Sequence, residues 1–505
     1  MQGEEQQVNK TMKRLRELDE EIQLLDHTAA LLEWDRETYM PEAAVEERSE
    51  QLALLEGLRH EMATSADIGE LLEAAESGGA AEEVDRAFLR EMRRRHERLA
   101  RIPADLAKRI AREATLAHAK WVKARAAADF AAFAPSLQKL LDLTLEKAER
   151  LGYQEERYDP LLDEFEPWMK TREVAEVFAP LQEQLKALLG RICASDRAME
   201  EAPLHRAFDL VKQRRFADEV LAEMGLPAAE SRMDLSAHPM TTAVGRSDVR
   251  LTNRYHERFI STGIFGCIHE GGHALYELGF APELRGTLLA GGASMGIHES
   301  QSRMWENMIG RSEPFWQCFF PRLQGLFPQS LGDMDERSFY CAVNRVAPSL
   351  IRTEADEVTY NLHIVLRFNL ERLLFAGKLA VSDLPDAWRA QSRELLGIEP
   401  ESDDQGVLQD IHWSEAMFGY FPSYCLGNLY AAQLFEAMCR DMPDVPAALG
   451  RGRLRDILTW LRENVHRHGR IYPAGELCRR ITGKGLTAAP FMEYLNRKFG
   501  GIYGF

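Results

Sequence analysis

Helical periodicity constrains this chain more than any other feature. It runs from about residue 9 to the C-terminus with one main interruption. In "NKTMKRLRELDEEIQLLDHTAALLEWDRE", residues 9–37, apolar side chains recur at spacings of three and four, with charges between them. "EEVDRAFLREMRRRHERLARI" and "LQKLLDLTLEKAERLG" repeat the pattern, and the second stops at Gly152, a helix-ending residue. The charged faces of these helices read as solvated. Over residues 225–255 the texture changes. "GLPAAESRMDLSAHPMTTAVGRSDVRLTNRY" is rich in Gly, Pro, Ser and Thr, and "DVRLTNRY" alternates polar and apolar residues. This predicts a small β-hairpin or sheet near residues 230–255, turning at "GRSD". Helical periodicity then resumes, apart from loops near 283–295 and 398–412. There is no internal repeat, low-complexity segment or long linker. The expected fold is mostly α, with residues 1–505 as one large helical domain.

Inside the helical pattern lies "GCIHEGGHALYELG", residues 266–279. His269 and His273 are four apart and share one helix face, one turn apart, so both imidazoles reach one metal ion. Glu270 points beside that ion. This is the H-E-x-x-H arrangement, in which the glutamate is general base for a water held by the metal. Zinc suits two imidazoles and a carboxylate with a fourth position left open. The apolar flanks mark a buried helix, where unpaired histidines and a glutamate would be costly. Two adjacent glycines cost about 1 kcal/mol each in a helix. They let another segment or a substrate approach closely. Tyr276 and Gly279 exclude a third histidine ligand close behind. "GASMGIHESQSRMWENMIG" offers His298 and Glu299. Glu299 lies 26 positions after His273, room for one helix to end and another to return as third ligand. Glu306 falls seven residues further on, the same face two turns later. It is either an outer partner of a ligand histidine or an ordinary surface residue.

The net charge of -18 argues against nucleic acid as a partner. No stretch has the roughly 18 apolar residues of a membrane span, and "MQGEEQQVNKTMKRLREL" lacks a signal-peptide core. The seven cysteines, Cys193, Cys267, Cys318, Cys341, Cys425, Cys439 and Cys478, show no C-x-x-C spacing. A reduced, cytoplasmic protein is expected.

"HEGGH" followed by "HESQSR" resembles the carboxypeptidase Taq family of thermostable metallocarboxypeptidases. "AHPM" with "DVRLT", "IRTEADEVTY", "GVLQDIHW" and "FGYFPSY" fit it in order, as does "LLEWDRETYMP" near the N-terminus. One departure stands out: His238-Pro239-Met240 replaces the usual His-Pro-Phe. The resemblance implies two helical walls on either side of a deep groove. Residues 1–220 would form wall and cover, and residues 221–505 would carry the zinc site and substrate groove. It also implies a homodimer, one zinc or cobalt ion per subunit, and removal of single C-terminal residues with broad specificity and poor action on proline.

The oxyanion of such a reaction needs a donor, and His412, Tyr420 and Tyr424 are candidates; either tyrosine could equally be a core aromatic. A free C-terminal carboxylate is best held by an arginine fork. Arg352 matches the family motif linked to that task, the alternative being an ion pair with Asp356. Arg250 is a weaker candidate. His238 either contacts substrate or fixes a loop. The hairpin edge offers backbone hydrogen bonds to an extended peptide. Two alternatives remain: a helical zinc oligopeptidase or dipeptidyl carboxypeptidase, and a helical scaffold with a structural metal site.

Overall fold

The computed structural model describes residues 2–79 and 82–505, with the backbone alone for residues 2–8. The expected α-helical character holds along the chain. The helix Phe130–Leu151 ends at Gly152, whose φ of 80° continues no right-handed helix.

Apolar stripes of these helices bury into two cores. A smaller one gathers Leu15 and Ile22 from the helix Gln2–Thr38, Leu72 from Ala66–Ser77 and Phe88 from Glu83–Arg101 onto Leu284, Leu288 and Leu289. Asp19, fully buried there, accepts from the Leu288 amide at 2.7 Å and pairs with Arg95 at 2.8 Å. The larger core draws on residues from Ala117 to Tyr503 and encloses Trp305, Trp316 and Tyr276.

The expected hairpin is present, as β2 (Thr241–Gly245) and β3 (Asp248–Asn253), antiparallel about Arg246 and Ser247. The structure adds a strand, β1 (Ser231–Leu235), which pairs in parallel with β3 and makes the order β1-β3-β2. Val249 and Leu251 on β3 are buried. At the end of β3, Asn253 Nδ2 donates to the Gly263 carbonyl at 2.8 Å, tying the sheet to the start of the histidine helix, Ile260–Glu277.

Three helices build the site: the histidine helix, the glutamate helix Met295–Arg303, and the tyrosine helix Phe421–Asp441. Their crossings depend on missing side chains. A Cβ on Gly272 would lie 2.7 Å from the Ser302 Cα and 2.8 Å from the Gln301 carbonyl oxygen, so the histidine and glutamate helices meet backbone to backbone. A Cβ on Gly427 would lie 2.6 Å from Glu299 Cγ, so the tyrosine helix presses directly behind that glutamate.

Candidate active site

The backbone-to-backbone crossing at Gly272 faces His269 and His273 toward Glu299. Nitrogen and oxygen atoms of the three lie within 4.8 Å of one another. Glu299 Oε2 is 3.6 Å from His269 Nε2 and 3.5 Å from His273 Nε2. Ligands bonded at ~2.0 Å in a tetrahedron sit ~3.3 Å apart, so the spacing suits one zinc-sized ion.

The outer contacts fix the tautomers. His269 Nδ1 donates to Glu306 Oε2 at 2.9 Å. His298 Nε2 donates to Glu277 Oε1 at 2.7 Å, which leaves its Nδ1 to accept from His273 Nδ1 at 2.6 Å. Both ligand histidines therefore present an Nε2 lone pair to the same point. Arg303 donates from Nε to Glu299 Oε1 at 2.7 Å and from Nη1 to Glu306 Oε2 at 3.3 Å. Against the cost of burial, Arg303 and the histidines hold Glu299 well below the usual carboxylate range. These features fit a divalent cation on His269, His273 and Glu299.

Glu270 is 6% exposed. Its Oε2 accepts from Thr241 Oγ1 at 2.7 Å, at the first residue of β2. Burial raises its pKa, which strengthens it as a base.

A second polar cluster adjoins the first through Tyr360. The Arg303 guanidinium lies 4.3 Å from the Tyr360 ring centre, and Arg352 Nη1 donates to the Tyr360 hydroxyl at 3.2 Å. Arg352 is buried, with Nε at 2.9 Å and Nη2 at 2.8 Å from Asp410 Oδ1. Arg367, fully buried, binds the other oxygen of Asp410. The Tyr424 ring centre lies 4.9 Å from the Arg352 guanidinium. His412 Nε2 is 3.1 Å from the Tyr424 hydroxyl, while its Nδ1 is buried without a partner. Burial and Arg352 push the His412 pKa down to about 3, so the ring is neutral. The proton belongs on Nε2, where it has an acceptor. Tyr424 is then free to donate its own hydroxyl proton elsewhere.

Residues 14–499 match the carboxypeptidase Taq (M32) metallopeptidase family. The chain belongs to this family. It is 43% identical over 502 residues to thermostable carboxypeptidase 1 of Thermus thermophilus, covering 97% of this chain and 98% of that one. It is 38% identical to thermostable carboxypeptidase 1 of Pyrococcus furiosus, covering 97% and 99%. The crystal structure of the M32 carboxypeptidase from Deinococcus radiodurans R1 superposes with a TM-score of 0.96 at 40% identity, covering 98% and 100%. Membership makes the chain a metallocarboxypeptidase and sets aside a purely structural metal site.

In this M32 chain the predicted residues separate into three groups. His269, Glu270, His273, Glu299 and Glu306 come together at the metal site. Arg352, His412, Tyr420 and Tyr424 come together beside it; the Tyr420 and Tyr424 rings are 5.1 Å apart. Arg250 and His238 join neither group. Arg250 forks onto Asp248 at 2.8 and 3.0 Å and lies 4.4 Å from the Trp34 ring centre. His238 is exposed between β1 and β2, and its backbone carbonyl accepts from Ser236 Oγ. The alternative pairing of Arg352 with Asp356 is not formed. Arg352 sits in a short 3-10 turn, Arg352–Glu354, and Asp356 instead accepts from the Val358, Thr359 and Ala347 amides.

Several contributors went unread in the sequence: Thr241, Glu277, Arg303, Tyr360, Arg367 and Asp410. Two carried a usable signal, since Glu277 and Arg303 each lie four residues after a ligand on the same helix.

Proposed function

We propose that this chain is a zinc-dependent carboxypeptidase that releases single residues from the free C-termini of peptides, with broad specificity and poor action on proline. A buried charge without a full counterpart carries this reading. Arg352 and Arg367 bring two positive charges, and Asp410 is the one carboxylate bonded to either of them among the described residues. Asp410 holds the Nε side of Arg352 and leaves one N–H on each terminal nitrogen as a fork. A substrate carboxylate seated there completes the charge balance.

His269, His273 and Glu299 would hold one zinc ion per subunit, with cobalt as a substitute. The ion supplies Lewis acidity, polarising the scissile carbonyl and acidifying a water. Glu270 takes the water proton and passes it to the leaving amine, with Thr241 holding one carboxylate oxygen in place. Tyr424, freed by His412, and Tyr420 are the donors for the developing oxyanion. The edge of β2 gives an extended peptide a strand to lie against. The family resemblance supports a homodimer, and seven unpaired cysteines suit a reducing cytoplasm.

One peptide in acid and amide forms tests the reading, with products identified by mass. Loss of charge-assisted bonds, each worth about 1.5–3 kcal/mol, should cut kcat/KM for the amide by about 10- to 100-fold. Arg352→Ala should remove the difference, mainly by damaging the acid. Equal cleavage of both forms, or dipeptides as first products, would favour an oligopeptidase or dipeptidyl carboxypeptidase.

A further inference from the structure

Glu166 lies far from the metal site in sequence and takes no part in the chemistry above. It follows the short helix Asp159–Phe165 and is 1% exposed. Its Oε1 accepts two hydrogen bonds, from the Gly296 amide at 2.5 Å and from Ser423 Oγ at 2.6 Å. Gly296 lies in the first turn of the glutamate helix and Ser423 in the first turn of the tyrosine helix, so one carboxylate bridges the N-terminal ends of both. Both ends carry positive helix-dipole charge, which suits an acid at that point. The approach leaves no spare room: a Cβ on Gly296 would lie 2.9 Å from one carboxylate oxygen and 3.0 Å from the other. The adjacent Phe165 ring packs edge-on against Tyr420 at 4.9 Å.

We infer that Glu166 is a positioning residue that sets where Tyr420 and Tyr424 stand relative to the metal ligands. The two helices pack against each other along their length, most closely where Gly427 lies behind Glu299, and Glu166 ties their N-terminal ends together from a third segment. The packing sets their separation, and the Glu166 bridge pins the first turn of the tyrosine helix, where Tyr420 and Tyr424 stand, against the start of the glutamate helix. Glu299 is also held within its own helix by Arg303 and by Ser302 Oγ at 3.1 Å, and that helix is locked to the histidine helix at Gly272. Loss of the bridge therefore moves the tyrosines and leaves the metal ligands in place. This rests on the proposed role of the tyrosines as oxyanion donors.

The test uses the full-length zinc enzyme well below its unfolding temperature. Glu166→Ala should lower kcat at least about 10-fold, leave KM within about 3-fold, and leave zinc affinity, measured by chelator competition, within about 2-fold. Glu166→Gln keeps an acceptor oxygen and should stay within about 3-fold of wild-type kcat. In a Tyr420→Phe/Tyr424→Phe background, Glu166→Ala should add less than about 3-fold. If Ala at 166 does not fold, Ser423→Ala removes the tyrosine-helix half of the bridge and takes its place. Wild-type kcat in the Ala variant, full additivity with the tyrosine changes, or zinc affinity falling in step with kcat would each overturn the inference. If the tyrosine variants alone keep wild-type kcat, the proposed oxyanion role has failed. The positioning is then decided by fluorotyrosine NMR at position 424: a shifted resonance in Glu166→Ala supports it, and an unchanged one refutes it.

Discussion

Gly271 and Gly272 are adjacent in sequence, yet alanine should weaken metal binding at the second position and leave it nearly unchanged at the first. At Gly272 the new methyl would lie 2.7 Å from Ser302 Cα and 2.8 Å from the Gln301 carbonyl oxygen, both backbone of the glutamate helix. Neither atom can rotate away, so the helices must part by roughly 0.7 Å to reach a tolerable ~3.4 Å contact. Glu299 rides on the displaced helix. Its Oε2 now lies 3.5 Å and 3.6 Å from the two Nε2 atoms. In tetrahedral geometry those spacings correspond to bonds of ~2.2 Å. Widened by the same amount, they correspond to bonds of ~2.6 Å, beyond the tolerance of ~0.2 Å that a zinc site allows.

At Gly271 the methyl would meet Leu221 Cδ2 at 2.5 Å and Met224 Cε at 3.1 Å, the far ends of two flexible side chains. Those ends can turn aside at modest cost, partly offset by the helical preference for alanine. Zinc affinity measured by chelator competition should therefore fall at least about 100-fold, or about 2.7 kcal/mol, in Gly272→Ala. It should stay within about 3-fold of wild type in Gly271→Ala. Equal affinities in the two variants, in either direction, would refute the idea that the crossing at Gly272 sets the ligand spacing.

Glu270→Gln should lower kcat at least about 100-fold while zinc content stays stoichiometric, because in the proposed mechanism the residue moves protons and binds no metal. Glu306→Gln should weaken zinc binding by about 10- to 100-fold through a misdirected His269, read by the same competition assay. Trp168 holds a left-handed backbone at φ 73°. There Trp168→Gly should be more stable than Trp168→Ala by about 1 kcal/mol in thermal or urea unfolding, reversing the usual order of these residues.

Local spacing made the helices legible, since an apolar residue every three or four positions suits a half-buried helix and little else. The hairpin was legible for the same reason, with its turn at Arg246-Ser247. β1 was not. It pairs in parallel with a strand that is not its sequence neighbour, so nothing within "SRMDL" announces the partner. The metal site divides along the same line. His269, Glu270 and His273 show themselves within one turn of helix. Glu277 and Arg303 stand at the same spacing from a ligand, but a charged pair four apart also describes any solvated helix face.

Two features of the site depend on relations that no local pattern encodes. A spacing of seven predicts residues 299 and 306 on one face of a continuous α-helix. The structure instead follows the glutamate helix with a π-helix, Met304–Gly310, and Glu306 reaches His269 from that wider turn. Arg352 and Asp410 are 58 residues apart, and Arg367 joins them from a third segment. The chain's net charge of -18 gave no hint of this cluster, because net charge is dominated by groups that water screens. What a buried site demands of a ligand depends on the charges that burial leaves uncompensated. In Arg352, Arg367 and Asp410 an excess of one positive charge stands beside the candidate metal site, and under the proposed function a peptide's terminal carboxylate has the sign and planarity to answer it.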